Sequence, residues 1–264
     1  MYSHLEATLH DLFWAAEGSS AELPLVKDFL ETFPGTALEL GCGSGRLLLP
    51  LRQDGYLIEG LDNSQDMLAL CRQQPNGEDV MLYHADMADF QTGAMYGAIT
   101  IPAFTLQLIP LETIPELLEN IHRHLHPDGG LYLTTFIPWA ELTGELEDGQ
   151  WFLDQQALLP DGNTAQCHTR FQIQRLSQQI TRDHRYEILT PKGSILETSE
   201  SVHNLTWFWP REITMMLHHA GFDTEKIITD FDAEASFDDD GQIITVIASR
   251  REPELMSITQ EDAP

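Results

Sequence analysis

The run Leu38-Glu39-Leu40-Gly41-Cys42-Gly43-Ser44-Gly45-Arg46 holds the residue types most suited to chemistry. Glycines in a GxGxG spacing let the chain turn sharply and let a ligand lie against backbone. A helix opening after such a loop offers its free N–H groups. Glu39 stands two places before the first glycine, and Asp62 falls at the expected end of the next strand. The spacing differs from the GxGxxG that seats a pyrophosphate, and an acid at position 39 suits a cationic amino group better than a diphosphate. A carboxylate at position 62 can accept both hydroxyls of a ribose. Together these residues favour a nucleoside that carries an amino acid over a nicotinamide dinucleotide.

A second group lies on an alternating stretch, Ile180 to Ile188. Ile180, Arg182, His184, Tyr186 and Ile188 share one face, while Thr181, Asp183, Arg185 and Glu187 make a solvent-like opposite face. With the isoleucines inward, His184 is the candidate general base, Arg182 the candidate for a substrate anion and Tyr186 a further substrate contact. Trp207 is a candidate pocket wall, although aromatic strand residues more often pack a core. No metal site is expected. His122 and His126 share a face near a helix C-terminus, where the dipole favours imidazolium. His218 and His219 are helix neighbours that cannot converge on one ion. The run Asp238 to Asp240 reads as a solvated turn, with calcium as its other conceivable occupant.

These residues need a frame. Two helical segments precede Pro34-Gly35, the second with Leu25, Val26, Phe29 and Leu30 on one face. Strands are expected at 36–40, 56–61, 80–83, 96–101 and 131–136. Helices are expected at about 45–53, from the cap Ser64 to 74, and at 114–125. That alternation predicts a parallel sheet with helices on both faces. From Ile137 to Thr206 the pattern becomes strand-like with turn signals, an antiparallel insertion placed to act as a substrate lid. A helix at 211–220 and strands at 222–231 and 243–248 complete the sheet. The expected organisation is a core of residues 1–136 and 207–251, a lid of 137–206, and a flexible tail of 252–264.

The segments LELGCGSGRLLLPLRQDGYLIEGLDNSQDML, HADMADF, LLENIHRHLHPDGGLYLTTF and WFWPREITMMLHHAGF, in that order, resemble class I methyltransferases. Among these the chain is most similar to small-molecule N- and O-methyltransferases with an antiparallel sheet inserted after the fifth strand. The resemblance implies a Rossmann-like, seven-stranded, mostly parallel sheet and S-adenosyl-L-methionine as cofactor, with S-adenosyl-L-homocysteine as product. It implies that Gly41, Cys42, Gly43 and Gly45 shape the loop around the methionine moiety, with Glu39 and Arg46 beside it. Asp62 would hold the ribose, Asn63 and Met67 would flank the adenine, and Asp86 with the Met87 backbone would read its amino group. Pro102, Ala103 and Gln107 would line the cofactor floor. The chain departs from the family pattern at Gly97, where relatives often carry an acid, and at Leu108, where many carry histidine. His10 stands where relatives often place a tyrosine.

Methyl transfer from a sulfonium is an in-line displacement, so the protein mainly aligns the reactants and keeps water out. The expected function is methylation of nitrogen or oxygen on a small molecule. The alternatives are a protein that binds the same cofactor without transferring the methyl group and, less favoured by the loop, a nicotinamide-dependent oxidoreductase. In 264 residues, 14 Lys and Arg face 42 Asp and Glu, a formal net charge of −28. That field repels polyanions and argues against nucleic-acid or anionic-membrane partners. The three separated cysteines and the lack of a basic-apolar leader point to a cytoplasmic protein; a monomer or homodimer is expected.

Overall fold

The computed structural model describes residues 4–16, 21–234 and 240–251. Helices α1 (His4–Ala16) and α2 (Glu22–Thr32) lead into strand β1 (Ala37–Leu40). Then come α3 (Leu48–Gln53), β2 (Ile58–Asp62), α4 (Gln65–Gln73), β3 (Leu82–His84) and β4 (Tyr96–Ile101). Two short 3-10 turns, at Thr105–Leu108 and Leu111–Thr113, precede α5 (Ile114–His124) and β5 (Leu125–Phe136). The inserted segment holds α6 (Trp139–Thr143) and strands β6 (Phe152–Leu158), β7 (Thr164–Gln174), β8 (Gln179–Leu189) and β9 (Ile195–Thr206). Helix α7 (Pro210–His219), β10 (Phe222–Thr229) and β11 (Ile243–Arg250) return to the main sheet.

The seven strands lie in the order β10-β11-β5-β4-β1-β2-β3. Strands β1 to β5 run parallel, and β11 lies antiparallel between β5 and β10. The central strands β1 and β4 are buried along their whole length, as strands covered on both faces must be. Chain order reverses between β1 and β4, which opens a crevice at their carboxyl ends, where the glycine loop and the first 3-10 turn meet.

Local chemistry explains most boundaries. Helix α2 buries Leu25, Val26, Phe29 and Leu30, the face its periodicity predicts. Ser64 caps α4 by accepting from the Met67 N–H at 3.3 Å. Helix α5 presents Ile114, Leu117, Leu118 and Ile121 to the core. It ends at His124, one residue short of the expectation, and β5 begins at once with a bulge between Leu125 and Gly130. His126 therefore lies in the strand segment and shares no helical face with His122. The insertion is not wholly strand, because α6 interrupts it before the four-stranded antiparallel meander β6-β7-β8-β9.

Helix α1 packs on the lid. Leu5, Leu9 and Phe13 form a buried cluster with Ala165, Cys167 and Tyr186. Each such side chain contributes roughly 1.5–3 kcal/mol of burial. Glu6 from the same helix face is almost fully enclosed and accepts hydrogen bonds from the Tyr186 and Ser201 hydroxyls at 3.1 and 3.0 Å. Among the described residues, no helix is long and apolar enough to cross a membrane. The Asp238-to-Asp240 reading and the tail expectation fall on residues that lie outside the described ones, apart from Asp240.

Gly97 shows why the sequence departs from the family pattern there. A Cβ on Gly97 would sit 2.1 Å from the Pro34 carbonyl oxygen, so the turn that feeds β1 leaves no room for a side chain. Gly97→Ala is expected to lower stability by about 1–3 kcal/mol through overpacking. A urea midpoint unchanged from wild type would show that this close approach is dispensable.

Candidate active site

The glycine loop is held by Asp62. One carboxylate oxygen accepts from the Gly43 N–H at 2.9 Å and the other from the Ser64 N–H at 2.7 Å. The end of β2 thus fixes both the loop after β1 and the start of α4. Gly41, Gly43 and Gly45 all have positive φ (76°, 53° and 88°), where other residues are strained. A Cβ on Gly41 would lie 2.5 Å from Thr105 Cγ2, so the loop also presses on the turn after β4. Gly45 has a packing role instead, closing on Cys71 and Leu49. Cys42 is buried over Gly60, whose Cβ would stand 2.7 Å from the Cys42 sulfur.

Two carboxyl groups are buried behind the loop. Glu39 on β1 is pushed up to about 8, chiefly by burial; Arg46 opposes the shift, and Glu22 and Asp62 add to it. Glu22 on α2 is also raised by burial, against the Arg46 charge and hydrogen bonds from Thr134, Ala103 and Tyr132. Its Oε1 accepts from the Thr134 and Tyr132 hydroxyls at 3.1 and 3.3 Å. Arg46 reaches Glu22 at 4.0 Å and is the positive charge that both acids share. Sequence reasoning missed Glu22, although a charged residue on the apolar side of an amphipathic helix was the available signal.

A cavity of about 600 Å³ opens above these groups. Glu39, Gly41, Cys42, Gly43, Arg46, Asp62, Asn63, Met67, Asp86, Met87 and Pro102 line it, together with Ala103 and Leu108. Its size lies within the ~300–1,000 Å³ range of small-molecule sites. Three features fit the sulfonium nucleoside implied by the sequence. Glu39 is a desolvated acid that a cation would restore to its charged form. Gly43 leaves open a space that a Cβ would fill, 3.2 Å from the Met67 methyl. Asp62, with each oxygen taking one backbone bond, keeps lone-pair capacity for hydroxyls.

Gln107 is placed elsewhere than on the floor. Its side-chain amide donates to the Phe136 carbonyl at 3.1 Å and accepts from the Phe136 N–H at 2.7 Å, stapling the turn after β4 to the end of β5. Trp207 is buried in the core and is not among the lining residues. Trp209 is partly exposed and rests on Trp139. The His10 side chain lies outside the described residues.

Ile180 and Tyr186 are buried, but the opposite face is half-buried rather than solvent-like, with Thr181 lining the cavity, and the polar residues expected to point inward are engaged by other elements. Arg182 pairs with Glu141 of α6 and lies over the Phe136 ring. Tyr186 is held by Glu6. The Thr169 hydroxyl donates to Asp154 at 2.7 Å, so its 2.8 Å contact with His184 Nδ1 must be donated by the imidazole. Burial, then His203 and Arg182, lowers His184 to about 4, so it is neutral at ordinary pH. Asp154, Cys167 and His184 stand close enough to share an ion. The Thr169 oxygen already occupies the space among them, and burial pushes the Cys167 thiol up to about 12.

The lid reaches the cavity through other residues. Edge strand β9 contributes Val202, His203, Asn204 and Thr206, and β8 contributes Gln179, Ile180 and Thr181. His203 Nε2 lies 3.0 Å from Glu6 Oε1. It is the one histidine among the described residues that line the cavity. Sequence reasoning passed over it because its value depends on the β8–β9 register, in which His203 stands opposite Arg182.

Comparisons with known proteins agree with this geometry. A family model described as a methyltransferase domain matches residues 37–129, from β1 to the β5 bulge. The dTDP-3-amino-3,6-dideoxy-alpha-D-glucopyranose N,N-dimethyltransferase of Streptomyces fradiae is 27% identical over 237 residues, 85% of this chain and 86% of that protein. An S-adenosylmethionine-dependent methyltransferase from Clostridium acetobutylicum ATCC 824 superposes with a TM-score of 0.73 at 14% identity, covering 88% of this chain and 91% of the other. The sugar N-methyltransferase of Streptoalloteichus sp ATCC 53650 gives a TM-score of 0.70 at 22% identity, with 92% and 93% covered. These solved structures carry the fold, and the matched domain includes the glycine loop, Asp62 and the switch-point crevice. Residues 37–129 match a methyltransferase domain, and over most of its length the chain is similar to S-adenosylmethionine-dependent methyltransferases.

Proposed function

We propose that the cavity binds S-adenosylmethionine and that the chain transfers its methyl group to nitrogen on a small molecule that enters under the lid. The carrying observation is the desolvated Glu39 carboxyl facing the cavity beside the glycine loop. In this reading Glu39 meets the methionyl ammonium and Asp62 the ribose hydroxyls. Asn63 and Met67 flank the adenine, while Asp86 and the Met87 backbone read its edge. When bound, the sulfonium supplies a methyl group already activated toward a nucleophile.

The chain's own task is then to position the acceptor and handle one proton. The 137–206 segment covers the crevice and carries acceptor specificity. His203, rather than His184, stands where it can take that proton, with Glu6 fixing the ring and balancing the charge that forms. Leu108 supplies no base from the other wall. The amino-sugar dimethylation named for the Streptomyces fradiae relative supports nitrogen as the acceptor atom. Release of S-adenosylhomocysteine in an acceptor screen distinguishes this reading from cofactor binding without transfer.

The Glu39 carboxyl generates a pH prediction whose sign is fixed. Because burial lifts it to about 8, the ligand-free chain holds it protonated at neutral pH, whereas an ammonium ligand requires the carboxylate. S-Adenosylhomocysteine binding at pH 7 should therefore release close to one proton, and affinity should rise as pH approaches 8. Calorimetry in buffers of different ionisation enthalpy measures this directly; no proton release would remove Glu39 from the ammonium site.

Asp62→Ala should weaken S-adenosylhomocysteine binding by about 1.5–3 kcal/mol, the range for hydrogen bonds to a charged group. NAD should produce no response in either protein. An unchanged dissociation constant would exclude Asp62 from the ribose site. For the proton acceptor, His203→Asn should lower turnover by roughly 10²–10⁴-fold with nearly unchanged cofactor affinity. Glu6→Gln should shift the acidic limb of the pH–rate profile. Full activity in His203→Asn would return the role to His184 or to solvent.

A further inference from the structure

We propose that the acceptor is an organic ammonium that bears no phosphate or diphosphate group. The inference rests on the methyl-transfer reading above and narrows its substrate class. All fourteen Lys and Arg of the chain fall among the described residues, so their positions can be surveyed completely. Arg46 is the only one of them that lines the cavity. That guanidinium is already committed to Glu22 and Glu39. Four carboxyl groups also line it: Glu39, Asp62 and Asp86, which the reading above gives to the cofactor, and Glu112 on the rim.

The lid does not make up the deficit. Arg170 and Arg185 are engaged on its outer face by Asp183 and Glu200, at 2.7 and 2.9 Å, and both lie over Trp151. Arg182 is paired with Glu141, and Arg175 donates to the Glu141 carbonyl at 3.0 Å. The N-terminus of α5, a common seat for anions, opens beside the cavity rim. Glu112 and Glu116 already place negative charge there. A diphosphate entering beside the bound cofactor would be desolvated near Glu112, with no Lys or Arg on that side of the cavity to answer it. An ammonium meets the opposite situation, and Leu108, Ile109, Leu111 and Val202 offer apolar wall for its carbon body.

The chemistry balances for such an acceptor. The ammonium gives one proton to His203, and the exposed nitrogen lone pair forms the new N–CH3 bond. The C–S bond breaks with its electron pair staying on sulfur, which leaves S-adenosylhomocysteine and a methylated ammonium. The imidazolium then returns its proton to water.

The test uses the full chain loaded with S-adenosylhomocysteine. Three probes are titrated by calorimetry at two salt concentrations: a 3-aminohexose as its methyl glycoside, the same sugar as its thymidine diphosphate ester, and thymidine diphosphate alone. The glycoside should bind at least tenfold more tightly than the ester, with affinity falling as salt rises, and thymidine diphosphate should give no heat at millimolar concentration. Val202→Lys, which adds a cation to the rim, should gain thymidine diphosphate binding. Tighter binding of the ester, micromolar binding of thymidine diphosphate by the wild type, or no binding of the glycoside would each overturn the inference. Loading is measured first and separates the two readings. Failure of S-adenosylhomocysteine to bind sinks the methyl-transfer reading, whereas normal loading with the wrong probe order sinks this inference alone.

Discussion

The bidentate grip of Asp62 on two backbone N–H groups is the constraint on which the site depends. A glycine loop with three left-handed residues has little conformational preference of its own. Held at Gly43 by one oxygen, while the other holds Ser64, the loop acquires a single shape. The same carboxylate therefore builds the cavity wall and faces into it. Gly60 beneath the loop and Thr105 across from it complete the enclosure, each at distances that forbid an added methyl group.

Burial governs the charges in that wall. Two acids and one arginine lie under the loop, and desolvation raises both acids despite the guanidinium. Such an arrangement is costly, because one guanidinium does not offset the desolvation of two carboxyl groups. Glu39 folds with its pKa above that of the unfolded chain. Its contribution to stability is complete below the unfolded value near 4.5 and is lost as pH rises through about 8.

What could be read from the sequence was what is local. The glycine spacing, Glu39, Asp62 and the Ser64 cap are each set by a few neighbouring residues, and the structure brings them to one crevice. On β8 the alternation located Ile180 and Tyr186 as its buried residues, although the residues between them are all half-buried. What that face touches was not legible, because it depends on strand register and on a helix far away in sequence. Thus Arg182, His184 and Tyr186 meet Glu141, Thr169 and Glu6, and His203 reaches the cavity instead. Gln107 and Trp207 were open for the same reason: a polar or aromatic side chain after a strand can serve a ligand or the fold, and only its partners decide. Gly97 was visible as a departure from pattern, but its cause is the Pro34 carbonyl, which no linear reading places beside it.

The docking of α1 on the lid has a consequence for how the molecule comes to exist. The bond between Glu6 and Ser201 spans 195 residues, and that between Glu6 and Tyr186 spans 180. A contact of such separation gains nothing until nearly everything between its ends has been ordered. During synthesis α1 is made before its partners on β8 and β9, which emerge only after strands β1 to β5. Helix α1 is therefore made well before the strands on which it docks. The contact between α1 and the inserted sheet thus depends on prior ordering of nearly the whole chain between them.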